Sequence, residues 1–305
     1  MNLTDITVTS VHEAFDAVVK SASSRGIRVT GSELVGVIPL KAMLDAGKHY
    51  LRMQERSTGI ADREIIKIAV KSLGLDELGP FDPDKKIIEY ILEDTSGKKL
   101  VDMTVRDFAN ETASESPAPG GGSISATMGA LGASLGAMVA NLSAHKRGWD
   151  DRWEEFSDWA EKGKHYQDEL LKMVDEDTNA FNRIMDAFGL PKKTQEDHAL
   201  RTQAIQEATK YAIEIPLNVM TLCYKSMEVA KAMAEIGNPN SVSDAGVGAI
   251  AALAGVKGAF LNVKINTAGL EDKDFVEKAI ADGKAIQEKA AALQKEILNI
   301  VEAKM

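Results

Sequence analysis

Ser116–Ala144 reads SPAPGGGSISATMGALGASLGAMVANLSA, a stretch without a single charged residue, with Gly132 and Gly136 at GxxxG spacing. Its length and composition would suit a membrane span. It is built from Ala, Gly and Ser more than from Leu or Ile, however, and it has no aromatic belts. A helix buried among other helices, with small residues that let backbones approach, is the better reading. No membrane partner is therefore expected.

The rest of the second half reads as helix around that core. Thr104 with Asp107 caps a short helix that the Pro117–Gly122 run stops, and the core helix is expected to begin at Ser123. A charged amphipathic pattern runs from about Asp150 to Ala187, ended by Gly189 and Pro191. Another runs from Thr194 to about Ile236 with Pro216 inside it. Gly237–Asn240 is a turn, Asp244–Asn266 a second low-charge helix, and Lys273–Ala303 a final amphipathic one. Two apolar helices among amphipathic ones predict a mainly α, multihelical array with buried central helices.

Residues 1–96 have a different texture. Ser10 and Glu13 form a capping box for a helix ended by Gly26, and helical patterns follow at Leu40–Met53, Asp62–Leu73 and Asp84–Leu92. Ile27–Val29 and Leu34–Ile38 read as extended, so a small α+β segment with two or three strands is expected. The polar run Asp94–Lys99 reads as a linker, giving domains 1–96 and 97–305.

Composition narrows the function. Net charge is −10, and no basic stripe is present, which argues against nucleic acid as a partner. Cys223 is the only cysteine, so no intramolecular disulfide can form and a reducing compartment fits. The opening MNLTDITVTSVHEAF has neither a basic n-region nor an apolar h-region, so a cytoplasmic protein is expected. His12, His49, His145, His165 and His198 show no metal-ligand spacing, and no metal is expected.

Three stretches carry candidate chemistry. Gly120, Gly121 and Gly122 before Ser123 let a ligand approach main-chain N–H groups at a helix start. The plain alternative is a Gly turn into a helix capped by Ser123, and the motif alone favours it. In Val174–Phe181 three acids share one turn. Asp177 falls one turn before Phe181 and two before Ile184, at the edge of the apolar face, while Asp175 and Glu176 point elsewhere, towards solvent. A carboxylate so placed is a candidate general base, because partial burial raises its pKa, although the motif alone favours the plain alternative of a surface acid. Before the second apolar helix, Ser243 or Asp244 is the expected cap. At its end Asn262 and Asn266 share one face, either to meet the edge of a heterocycle or to bond neighbouring helices.

Together Ser116–Ser123, Asp175–Phe181, Leu190–Lys192, the Ser243–Asp244 helix start and Asn262–Asn266 resemble the bifunctional formimidoyltransferase-cyclodeaminase family and its stand-alone cyclohydrolase/cyclodeaminase relatives. Residues 1–93 resemble the end of the family's transferase module through Met1–Thr9, Gly31–Gly36 and Leu73–Leu92. The resemblance implies a helical array that dimerises, with folate near the subunit interface and a tetrahydrofolate derivative as substrate. It places the family's acid/base aspartate on Asp177. It also implies that Asp244, Asn262 and Asn266 meet the pterin edge, that Gly120–Ser123 line the pocket, and that Lys146 and Arg147 meet the glutamate tail. The reaction implied closes 5-formimidoyltetrahydrofolate to 5,10-methenyltetrahydrofolate with loss of ammonia. The alternatives are a methenyltetrahydrofolate cyclohydrolase and a non-catalytic folate-binding bundle. The module's catalytic histidine lies in a part that this chain does not contain, so transferase activity is expected to be absent.

Overall fold

The computed structural model describes residues 1–93 and 99–305, so all of the expected Asp94–Lys99 linker but Lys99 lies outside the described residues. The fold is mainly α-helical. Contacts divide the chain into two units: Met1–Gly97 with Ala144–Asp158, and Lys98–Ser143 with Trp159–Met305.

The first unit holds α1 (Val11–Ser23), α2 (Leu40–Met53), α3 (Asp62–Leu73), α4 (Pro83–Lys86) and α5 (Ile88–Leu92). The Ser10–Glu13 capping box forms, and Gly26 adopts a left-handed φ of 73° beyond the helix end. Met43 and Ala46 of α2 and Ile66, Ala69 and Leu73 of α3 close a core with Ile38 and Ile87. Each large aliphatic side chain buried there contributes about 1.5–3 kcal/mol. The two expected extended segments make no strand among the described residues. Ile38 alone pairs, in one parallel bridge with Ile87. That bridge also splits the helix expected over Asp84–Leu92. Ile87 is fully buried and extended (φ −93°, ψ 123°), with the Ile38 N–H donating to Lys86 O and the Ile88 N–H to Ile38 O. Ala144–Asp158 is fastened to this unit through the Thr58 N–H, which donates to Ser157 Oγ at 3.0 Å.

The second unit is built from α6 (Val105–Thr112), α7 (Gly121–Ala144) but for its last residue, α8 (Trp153–Gly189) from Trp159 on, α9 (Gln195–Ile236), α10 (Val242–Asn266) and α11 (Lys273–Lys304). Helix α7 lies against α8, α9 and α10, and glycines set the approach. A Cβ at Gly132 would stand 2.7 Å from Gly248 O, and one at Gly136 3.1 Å from Val229 Cγ1. Gly121 meets Asn262 and Gly132 meets Gly248, so α7 and α10 run antiparallel. By length and composition both helices could cross a membrane, but more than half of each apolar window is buried within the protein. Helix α9 opens with a capping box from Thr194 and Asp197 and carries Pro216 in its interior.

Two expected caps fall elsewhere. Ser123 is the third residue of α7 rather than its cap. The cap of α10 is Ser241, because a short turn over Pro239–Ser241 starts the helix early and leaves Ser243 and Asp244 inside its first turn.

Candidate functional site

Asp177 of α8 sits against the first turn of α7. Its Oδ2 accepts from the Ser123 N–H at 2.8 Å, and Ser123 Oγ lies 3.1 Å from the same oxygen. The first N–H groups of a helix have no partner within it, and the helix dipole favours negative charge there. Asp177 thus caps α7 from a neighbouring helix. Gly122 makes this possible: a Cβ at that position would overlap the Asp177 carboxylate. What the glycine run admits against its backbone here is therefore a side chain of the same chain.

Burial is the largest influence on Asp177 and pushes its carboxyl above the ordinary carboxylate range. The two Ser123 bonds oppose it by favouring the charged form. A partly buried carboxyl whose protonated and ionised forms are both supported is suited to accepting and returning a proton. Cys223 has no such character, for full burial pushes its thiol up to about 12.

The neighbouring acids are not solvated as expected. Asp175 accepts from the Leu100 N–H at 2.7 Å, fastening the segment before α6 to α8. Glu176 accepts from Tyr211 OH and from Asn179 Nδ2, and the Arg183 guanidinium lies 4.1 Å over the Tyr211 ring. Tyr211 and Arg183 also border a groove of about 360 Å³. Phe181, expected on the apolar face, is 41% exposed, while Val174 and Ala180 are buried and Ile184 packs beside Ala180.

The two asparagines at the end of α10 separate in role. Asn262 donates to Gly258 O of its own helix at 3.0 Å and lies beside Gly121, where a Cβ would be 3.2 Å from its Nδ2. Asn266 donates to Ala212 O at 2.7 Å and so ties α10 to α9. Gly121, Gly122, Ser123, Asp177 and Asn262 are thus brought together, with Gly120 immediately before them. Asp244 is not. It lies eighteen residues before Asn262 on one continuous helix, about 27 Å along its axis at the α-helical rise. Lys146 and Arg147 belong to the first unit, where the Lys146 ammonium stands 3.9 Å over the Trp149 ring.

The first unit also holds a polar cluster that sequence reasoning missed. His12 and His49, without metal-ligand spacing in the sequence, stack at 4.3 Å. His49 Nε2 is 2.9 Å from Asp16 Oδ2, and Tyr50 OH donates to Asp16 Oδ1 at 3.1 Å. The helical spacing of His12 and Asp16 was a signal for one side of it. Its other side depends on how α1 meets α2. Among the described residues, no group of three or more His, Cys, Asp and Glu side chains is placed to hold a metal.

The family model described as formiminotransferase-cyclodeaminase matches residues 104–302, and one described as formiminotransferase domain matches residues 1–93. A formimidoyltransferase-cyclodeaminase from Rattus norvegicus is 34% identical over 278 residues, 91% of this chain and 51% of that protein. A methenyltetrahydrofolate cyclohydrolase from Methylorubrum extorquens is 38% identical over 202 residues, 66% of this chain and 97% of that protein. The crystal structure of a formiminotetrahydrofolate cyclodeaminase from Thermotoga maritima superposes with a TM-score of 0.59 at 24% identity. The match covers 66% of this chain and 97% of that one, and at this identity it bears on the fold. The chain spans about half the length of the formimidoyltransferase-cyclodeaminases it matches.

Proposed function

We propose, starting from the fact that the chain belongs to the formiminotransferase-cyclodeaminase family, that it closes 5-formimidoyltetrahydrofolate to 5,10-methenyltetrahydrofolate and releases ammonia. The observation that carries this reading is the Asp177 carboxyl, partly buried and held by the Ser123 N–H and hydroxyl at the start of α7. N10 of the folate attacks the carbon of the protonated formimino group (N5–CH=NH2+), which becomes an amine-bearing tetrahedral centre, and Asp177 takes the N10 proton. Asp177 then returns that proton to the amine nitrogen as its bond to carbon breaks, so the nitrogen leaves as ammonia and the lone pairs of N5 and N10 stabilise the methenyl cation. The ionised carboxylate also stabilises the positive charge that develops on the product.

Asn262 and Gly120–Ser123 are assigned to the pterin side of the site because they surround Asp177. Asp244, eighteen residues before Asn262 on α10, and Lys146 and Arg147, in the first unit, are given no part beside Asp177. Asn266 is reassigned to holding α10 on α9.

We propose further that the chain works as a homodimer. Met128, Leu131, Met138 and Leu142 form an exposed apolar stripe on α7, and Val247, Ile250, Leu261 and Ile265 another on α10. Leu131 is 60% exposed and Ile265 73%. An apolar face of this extent, interrupted on α10 by the exposed Lys257, is suited to a second copy. The segment before residue 97 is assigned no transferase chemistry. The similarity to a cyclohydrolase over nearly that protein's whole length supports a second reading of the same site, in which water adds to the methenyl carbon.

Purified protein given 5-formimidoyltetrahydrofolate should raise the methenyl absorbance and release ammonia in equal amounts. Asp177→Asn should lose roughly two to four powers of ten in turnover. Near-normal turnover in that variant would remove Asp177 from the mechanism. Turnover of the methenyl compound alone would favour the cyclohydrolase reading.

A further inference from the structure

The fully buried Ser123 hydroxyl stands between two acceptors, the Val174 carbonyl at 2.9 Å and Asp177 Oδ2 at 3.1 Å. A hydroxyl has one proton to give, so it serves one of these at a time, while its lone pairs can accept. When Asp177 is ionised, donation to the carboxylate is charge-assisted and outcompetes donation to a neutral carbonyl. When Asp177 is protonated, its own O–H becomes a donor aimed at Ser123 Oγ, and the serine proton turns to Val174 O. Every donor then has an acceptor in both states, and only protons move. The Ser123 N–H stays on Oδ2 throughout and keeps the carboxyl in place.

We propose that Ser123 is a positioning residue for Asp177, its hydroxyl turning between the carboxylate and the Val174 carbonyl as Asp177 gives up and takes back a proton. This rests on the reading of Asp177 as the acid/base group. It reassigns Ser123 from the pocket lining to the control of its neighbour. The surroundings leave that control to Ser123. On α7 the carboxyl meets Gly122 and Ser123, and Asn262 of α10 lies beside the preceding Gly121. Of the cations on α10, Lys257 is exposed and Lys264 lies 4.6 Å over the Phe260 ring. On α8, Asp175 is engaged by Leu100 and Glu176 by Tyr211 of α9, and on α9 Lys210 lies 3.6 Å from Asp272. Burial therefore raises Asp177, and the opposing influences are the two bonds from Ser123.

The test compares Ser123→Ala and Ser123→Thr with wild type by pH–turnover profiles on the full chain. It adds a carbon-13 titration of the aspartate carboxyls in the ligand-free protein, with Asp177→Asn identifying the resonance. Ser123→Ala loses a donor to the charged form, so its carboxyl titrates at higher pH. On the acid limb its turnover falls roughly tenfold more than on the alkaline plateau, and Ser123→Thr restores the limb. An alanine variant whose loss is equal at every pH, or whose carboxyl titration does not move, overturns the proposal. Should the alanine protein fail to fold, Ser123→Cys, with its weak S–H donor, serves in the same comparison. The titration needs no substrate, so it still decides the role of Ser123 if the folate reaction itself proves wrong.

Discussion

Replacing Gly122 by alanine puts a methyl group where the Asp177 carboxylate now lies. In an open helix that exchange gains up to about 1 kcal/mol, less in a first turn such as this one. Here Gly122 is buried and the carboxylate is held by Ser123 on one side and the α8 backbone on the other. Overpacking of this kind costs about 1–3 kcal/mol, so a net loss of up to roughly 2–3 kcal/mol is expected. On the proposed acid/base role of Asp177 the larger effect falls on chemistry, since displacing such a group by about 1 Å costs on the order of a hundredfold in turnover. The two preceding glycines provide a graded control. At Gly121 a methyl would stand 3.2 Å from Asn262 Nδ2, the end of a side chain that can yield, and at Gly120 nothing lies nearer than Pro117 O at 3.8 Å. Urea unfolding and turnover of the three alanine variants should therefore rank Gly120 as mildest and Gly122 as most severe. Wild-type turnover in Gly122→Ala, or an equal loss in Gly120→Ala, would refute the packing argument.

Other expectations follow from the same geometry. Because burial raises the Asp177 carboxyl, its contribution to folding is full at low pH and is lost as pH rises through the folded-state value. Asp177→Asn should lack that decline and melt no lower than wild type at pH 8, and a clearly lower melting point there would contradict it. Asn266→Ala removes the tie to Ala212 O and should cost about 1 kcal/mol in unfolding measurements with KM unchanged. A raised KM with full stability would return Asn266 to the substrate. Leu131→Glu should lower the mass measured by light scattering from dimer to monomer, whereas a wild-type monomer of full activity would end the dimer proposal. Formiminoglutamate with tetrahydrofolate should yield no glutamate at enzymic rates, and its appearance would show transferase chemistry in the chain.

Much of the fold was legible because local signals agree. The capping box at Ser10, the helical pattern starting at Thr194 and the amphipathic patterns of Leu40–Met53 and Asp62–Leu73 mark elements that form where they were expected. The β-branched runs near Ile27 and Leu34 misled because a strand needs a partner, and only Ile38 finds one, in Ile87. For the site, the periodicity of α8 singled out Asp177, and the glycine run marked a close approach. That each feature is the other's partner is a tertiary fact with no local signature. Asn262 and Asn266 share a face and chemistry, and only the positions of Gly121 and of the Ala212 carbonyl separate them.

The glycines of α7 bear on the order in which the molecule assembles. Gly129, Gly132 and Gly136 lie in its interior, each costing about 1 kcal/mol of helix propensity relative to alanine. Together they disfavour the isolated helix by about 3 kcal/mol, and what restores it is contact with Cys223, Gly248 and Val229 on the other helices. During folding α7 would therefore settle after its neighbours have begun to associate, and the N–H groups that hold Asp177 would be among the last to find their acceptor. Until then the carboxyl would behave as an ordinary solvent-facing acid. Acid/base competence would arrive with the completed bundle, so that half-assembled chains would lack the chemistry altogether.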